Sequence, residues 1–181
     1  MGKPKIATCS LAGCFGCHMS ILDIDERIIQ LVDIVDFDKS PINDLKNFTD
    51  RCLVGLVEGG CSTEENVHVL KEFRKNCDIL ISVGACSITG GIPALRNNIP
   101  LKECLQEAYL DGPTVYNPNK VIPRDKEIPL CLNNVYPCHE IVKVDYFLPG
   151  CPPSADTIWE GLVALLNGKP LQLPYELVKY D

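Results

Sequence analysis

No stretch of this 181-residue chain approaches the roughly 18 consecutive apolar residues that a membrane-crossing helix requires. Basic residues are outnumbered, 17 Lys and Arg against 24 Asp and Glu, and the formal charge of −7 argues against a nucleic-acid partner, which needs a basic face. Neither a G-x-G-x-x-G fingerprint nor a P-loop is present, which disfavours direct binding of NAD or ATP. The opening residues have no apolar signal core and no twin arginine, and residue 6 is Ile where a myristoylation signal needs Ser or Thr. A cytoplasmic location is the expectation. Internal repeats and low-complexity tracts are also missing.

Cysteine, by contrast, is plentiful, with 11 residues. An odd number in a chain with no export signal and a hydrophobic content of 46% does not suit a small disulfide scaffold. Metal binding, or burial as small hydrophobes, accounts for them better.

Short apolar runs at residues 5–9, 34–37, 53–57, 79–83 and 144–148 read as β-strands, the fourth uninterrupted enough to be buried on both faces. Between them lie helical patterns. Ile21, Ile24, Ile28, Leu31 and Val32 recur at helical spacing over residues 19–32. Ser62 with Glu65 forms a capping box for a helix running to about Lys75, and a helical stretch extends from the Gly90-Gly91 turn through Ala108. The last helix carries Ile158, Leu162, Leu165 and Leu166 on one face and stops at Asn167-Gly168. Pro113, Pro118, Pro123, Pro129 and Pro137 mark residues 111–140 as an irregular excursion. Strands alternating with helices predict an α/β fold, a flavodoxin-like three-layer sandwich around a parallel sheet, with residues 1–181 as a single domain.

Four cysteines fall in loops directly after predicted strands: Cys14-Phe15-Gly16-Cys17, Gly84-Ala85-Cys86 and Pro149-Gly150-Cys151-Pro152-Pro153. In a parallel sheet those loops share the carboxyl edge, where α/β proteins bind ligands. Four converging thiolates suffice for one iron–sulfur cluster. Zinc is the competing ligand, although structural zinc sites usually present two closely spaced pairs, whereas this chain has one pair and two distant singles. A thioredoxin-type redox pair would leave Cys86 and Cys151 unexplained. Cysteines occupy the place of a phosphate-cradling loop after the first strand, which disfavours FMN on this chain.

These residues, with the Val57-Glu58-Gly59 turn, resemble the small subunit of [NiFe] hydrogenases over nearly the whole chain. The segment Cys14–Ser20 followed by Leu22-Asp23 most resembles the soluble, NAD(P)-reducing bidirectional enzymes. The resemblance implies that Cys14, Cys17, Cys86 and Cys151 bind one [4Fe–4S] cluster that relays electrons. It also implies a partner large subunit with the nickel–iron site, and a diaphorase with FMN, further clusters and the NAD site. The related quinone-reductase subunit of complex I has adjacent cysteines in the first loop, and is the alternative, beside another soluble hydrogenase branch or a non-redox zinc or cluster scaffold. No second cluster domain is expected in the roughly 13 residues after Gly168. Met19 stands where many small subunits carry Glu, so a proton route through that position is not expected.

The same resemblance implies that Glu58 faces the large subunit on a proton path, whereas the residue on its own reads as a capping or loop carboxylate. His18 reads as a donor to a cluster sulfur or as a surface or partner-facing residue, and His68 as solvated or structural. Cys61 reads as a buried filler, with a fifth, exchangeable ligand as the alternative. Cys9, Cys52, Cys77 and Cys104 are expected in the core. Cys131, Cys138 and His139 form a weak candidate for a second metal site.

Overall fold

A computed structural model of the chain describes residues 2–178. Five strands, β1 (Lys5–Ser10), β2 (Asp36–Phe37), β3 (Cys52–Glu58), β5 (Cys77–Val83) and β7 (Tyr146–Leu148), form one sheet in the order β2-β1-β3-β5-β7. Every pairing in it is parallel. The flavodoxin-like expectation therefore holds. Strand order reverses at β1, so the crevice between the carboxyl ends of β1 and β3 is the switch point where such sheets take ligands.

The sheet is buried on both faces. Ile6, Val54, Leu56, Ile81, Val83 and Leu148 pack against α1 (Gly16–Leu22), α2 (Arg27–Ile34) and α6 (Ala155–Leu166). The opposite face sets Ala7, Cys9, Cys52, Val57, Cys77 and Leu80 against Leu70 and Phe73 of α3 (Glu64–Asn76). Side chains along β1 alternate between the two cores, as a period of two demands.

The helix predicted over 19–32 is instead two helices. Asp25 adopts a left-handed φ of 55° between α1 and α2, a conformation that Asp tolerates better than most residues. The break leaves Ile24 and Leu31 fully buried but Val32 exposed. Ile34 closes α2, which shortens the second strand to two residues. Beyond β2 the chain still follows β1: Asp38 N donates to Ile6 O at 2.8 Å and Thr8 N to Lys39 O at 2.9 Å. The capping motif of α3 lies one residue later than predicted, with Asn66 N donating to Thr63 Oγ1 at 3.2 Å, because Cys61–Thr63 is itself a strand, β4.

Gly90 and Gly91 lead into a 3-10 turn (Ile92–Asn98), α5 (Leu101–Gln106) and a π-helical turn (Glu107–Asp111). The excursion is not wholly irregular. Its proline-free stretch Cys131–Tyr136 forms β6, which pairs antiparallel with β4. A short helix, α4 (Ala85–Thr89), follows β5, and α7 (Tyr175–Val178) ends the described residues.

Asp38 is buried beneath the β2–β3 connection, where its carboxylate accepts from Thr49 N and Lys39 N, each at 2.9 Å, and from the Thr49 hydroxyl and Lys5 Nζ. Burial alone would raise its pKa, but the hydrogen bonds from Thr49, Lys39 and Lys5 outweigh it and hold the group below the usual aspartate range. A depressed carboxylate stabilises the fold above the unfolded pKa, and that stabilisation disappears as pH falls through the folded one. Asp38→Asn should cost about 1–3 kcal/mol at neutral pH and flatten the acid limb of the stability profile. Unfolding followed by fluorescence of the single Trp159 measures both effects.

Candidate functional site

The carboxyl edge of the sheet gathers four loops, three of them carrying the predicted cysteines, and backbone hydrogen bonds join them in two pairs. The loop after β1 is held to the turn after β3 by Leu11 N to Glu58 O at 2.9 Å, Ala12 N to Gly60 O at 3.0 Å and Gly60 N to Ala12 O at 2.8 Å. The loop after β5 is held to that after β7 by Gly84 N to Leu148 O and Ala85 N to Gly150 O, both 2.8 Å. Cys14 and Cys17 therefore come from one bonded pair of loops, and Cys86 and Cys151 from the other.

The two pairs of loops meet at a thiol. A Cβ added to Gly84, which has a φ of +82°, would stand 2.4 Å from Cys17 Sγ. Cys14 and Cys151 are exposed, while Cys17 and Cys86 are half-buried. Cys17 lies close enough to Cys86 and Cys14 to feel their charge, and Cys86 similarly feels Cys151 and Cys14. All four predicted cysteines thus share one mouth. Burial pushes the Cys17 and Cys86 thiols up, and neighbouring Glu58 pushes Cys17 further in the same direction. Thiolates there need a compensating positive charge, which bound iron or zinc provides. Among the described residues no three His, Cys, Asp or Glu side chains close on one point in the way a single metal ion needs. Ligands of a four-iron cluster are spread, each sulfur holding its own iron, and the donor set fits such a group.

Glu58 lies behind Cys17, only 3% exposed. Its Oε2 accepts the backbone N–H of His18 at 3.2 Å, in the first turn of α1, whose N-cap Phe15 offers no side-chain acceptor. The capping reading of Glu58 is the one its geometry matches, and the cap comes from a neighbouring strand. Oε1 approaches His18 Nδ1 to 2.9 Å, a close contact outside in-line hydrogen-bond geometry. Burial raises the Glu58 pKa, but His18, Ser10 and Cys17 together outweigh it and keep the group below the ordinary glutamate range.

His18 is 1% exposed and turned inward, so neither the surface reading nor donation to a cluster sulfur stands. Nε2 lies 2.9 Å from Thr8 Oγ1, Nδ1 faces Glu58, and the ring stacks on Phe15 at 4.5 Å. Nε2 is committed to Thr8, and Nδ1 stands buried against Glu58 rather than toward the mouth. His68 is exposed on α3. Cys61 packs with Cys138 in the second core, and Cys138 Sγ donates to Gly59 O at 3.4 Å. Cys131 is exposed at the start of β6 and His139 packs edge-on against Phe147, so these residues and Cys138 do not converge. Cys9, Cys52 and Cys77 are buried as expected, but Cys104 on α5 is only half-buried. Thr8, Ser10 and Ser40 carried no motif, and only the fold brings them to the site.

A family model described as NADH ubiquinone oxidoreductase, 20 Kd subunit, matches residues 14–165. The delta subunit of the NAD-reducing hydrogenase HoxS of Cupriavidus necator is 51% identical over 181 residues, covering 99% of this chain and 87% of that one. An iron-sulfur subunit of the F420-non-reducing hydrogenase of Archaeoglobus profundus is 31% identical over 91% of this chain, which spans 56% of that longer protein. A chain in the crystal structure of an NAD+-reducing [NiFe]-hydrogenase in the H2-reduced state superposes with a TM-score of 0.95 at 47% identity, covering 99% of this chain and all of that one. With its Cys-x-x-Cys loop at the switch point, the chain belongs to the family of the NADH ubiquinone oxidoreductase 20 Kd subunit, within which it is a [NiFe]-hydrogenase small subunit most like those of the NAD(P)-reducing enzymes.

Proposed function

We propose that this chain is the electron-relay small subunit of a cytoplasmic, NAD(P)-reducing [NiFe] hydrogenase, and that Cys14, Cys17, Cys86 and Cys151 hold its single [4Fe–4S] cluster. The observation that carries this reading is the meeting of those four thiols, from three loops, at the switch point of a parallel sheet. When bound, such a cluster supplies a one-electron redox step. The name of the Archaeoglobus relative agrees with iron–sulfur chemistry.

The remaining work of the chain is structural and electrostatic. Two hydrogen-bonded loop pairs preset the positions of the thiols, so little ordering is left for ligation. The Gly84 turn lets backbone pass under Cys17 where any side chain would collide. Glu58 keeps a negative charge behind Cys17, which opposes addition of an electron at the mouth and sets the potential lower than thiolate ligation alone would. Exposed Cys14 and Cys151 need a cover if water is to be excluded. Ile92 and Leu95, 71% and 70% exposed on the turn beyond Cys86, offer apolar surface for one. That cover is a partner large subunit bearing the nickel–iron site where hydrogen is split. Electrons then pass to diaphorase subunits bearing FMN and further clusters. No helix among the described residues is long and apolar enough to cross a membrane.

In the anaerobically purified complex, Cys86→Ala should remove about four irons and four sulfides and abolish hydrogen-dependent NAD reduction. Unchanged iron and sulfide in an intact complex would contradict the ligand assignment, and loss of zinc instead would mark a structural scaffold. Gly84→Ala should cost about 1–3 kcal/mol in backbone strain and also displace Cys17, leaving iron substoichiometric. Gly168→Ala is the control, because Gly168 has a φ of +68° with nothing within 4 Å of an added Cβ. Its iron content should stay at the unmutated level, and equal iron in both variants would sever Gly84 from the site.

A further inference from the structure

A line of buried side chains leads from the thiol mouth into the far side of β1, and the relay reading above makes no use of its outer half. Glu58 meets His18 Nδ1, and His18 Nε2 lies 2.9 Å from Thr8 Oγ1. Thr8 Oγ1 lies 2.7 Å from Ser40 Oγ, which accepts the backbone N–H of Ile42 at 3.2 Å. Glu58, His18, Thr8 and Ser40 are all at most 3% exposed. Ser40 reaches Thr8 only because the chain past β2 keeps following β1 through the Thr8 N to Lys39 O bond.

The hydrogens in this line have one consistent order. Among the described residues Ser40 Oγ has no acceptor other than Thr8, so its O–H donates to Thr8 Oγ1. Thr8 then has its own O–H to give, and the remaining neighbour is His18 Nε2. A histidine whose Nε2 accepts carries its hydrogen on Nδ1, the nitrogen that faces Glu58. Every donor from Ile42 inward thus points toward the carboxylate beside Cys17. With the opposite tautomer, an imidazole lone pair would face Glu58 Oε1 at 2.9 Å, and the carboxylate would be repelled from its seat.

We propose that Thr8 and Ser40 are positioning residues of the relay site: by dictating which nitrogen of His18 carries hydrogen, they fix the place of the Glu58 carboxylate against Cys17 and so tune the bound cluster. This rests on the electron-relay reading. Metal sites elsewhere are tuned by such outer partners, whose removal is felt through the residues they orient. Neither residue touches a proposed ligand, so their influence passes entirely through His18 and Glu58.

The test uses the anaerobic complex with Thr8→Val, Thr8→Ser and Ser40→Ala, reading iron and sulfide content together with an EPR-monitored redox titration. Thr8→Val keeps the shape and removes the hydroxyl. It should retain the iron and sulfide, while the ratio of reduced to oxidised cluster at fixed applied potential rises about three- to tenfold, because the displaced Glu58 charge no longer opposes reduction, tenfold being 59 mV for one electron. Ser40→Ala should shift the ratio the same way by less, and Thr8→Ser should match the unmutated protein. An assembled Thr8→Val complex with an unmutated potential overturns the proposal, as does a Thr8→Ser shift equal to that of Thr8→Val, which would point to packing. If Thr8→Val does not assemble, Ser40→Ala decides: a shift supports the proposal and none overturns it. A missing four-iron complement in the unmutated complex is a separate outcome, the failure of the relay reading itself.

Discussion

The parallel pairing of β1 with β3, which runs in register from Ile6 against Val54 to Ser10 against Glu58, is the contact on which the site depends. It brings the loop carrying Cys14 and Cys17 against the Glu58-Gly59-Gly60 turn, and it stands where strand order reverses. A one-residue slip would interchange the two faces of β1. Thr8 would then leave the side where His18 waits, and Ala7 and Cys9 would leave the core formed with α3. Burial on both faces makes such a slip prohibitive, so the hydrophobic cores fix the register that positions the chemistry.

The same burial creates the electrostatic problem that the site answers. A carboxylate and two half-buried thiols share the space behind the mouth, and all three are disfavoured as anions by desolvation. Glu58 escapes that penalty through the His18 amide, Ser10 and Cys17, and through the close approach of the His18 ring. Cys17 has no such donor and Cys86 has only the Ile92 amide, which does not offset its burial, so positive iron would supply what the protein does not. One group is satisfied internally and the others await a ligand, a division that suits a site built to hold a cluster at a defined potential.

The five strands of the parallel sheet were legible in the sequence because each is a short apolar run, and the four cysteines were legible because they follow those runs. Other features depend on tertiary contacts that spacing does not encode. The break at Asp25 keeps the apolar period of the predicted helix nearly intact, so periodicity alone spans it. Strand β6 forms because β4 lies ready to pair with it, and its Asn133-Asn134 centre has little strand preference of its own. His18 reads as exposed by its neighbours Cys17 and Met19. Only the pairing of β1 with β3 and the continuation past β2 reveal that Glu58, Thr8 and Ser40 surround it. The hydrogen-bonded line joins residues 8, 18, 40 and 58, whose separations along the chain follow no recognisable motif.

Anomalous scattering at the iron edge, from crystals of the anaerobically prepared complex, tests the central claim most directly. Four iron peaks, each bonded to one of Cys14, Cys17, Cys86 and Cys151, are the expected result. A single zinc peak at the mouth, or irons held without one of these four sulfurs, would contradict it.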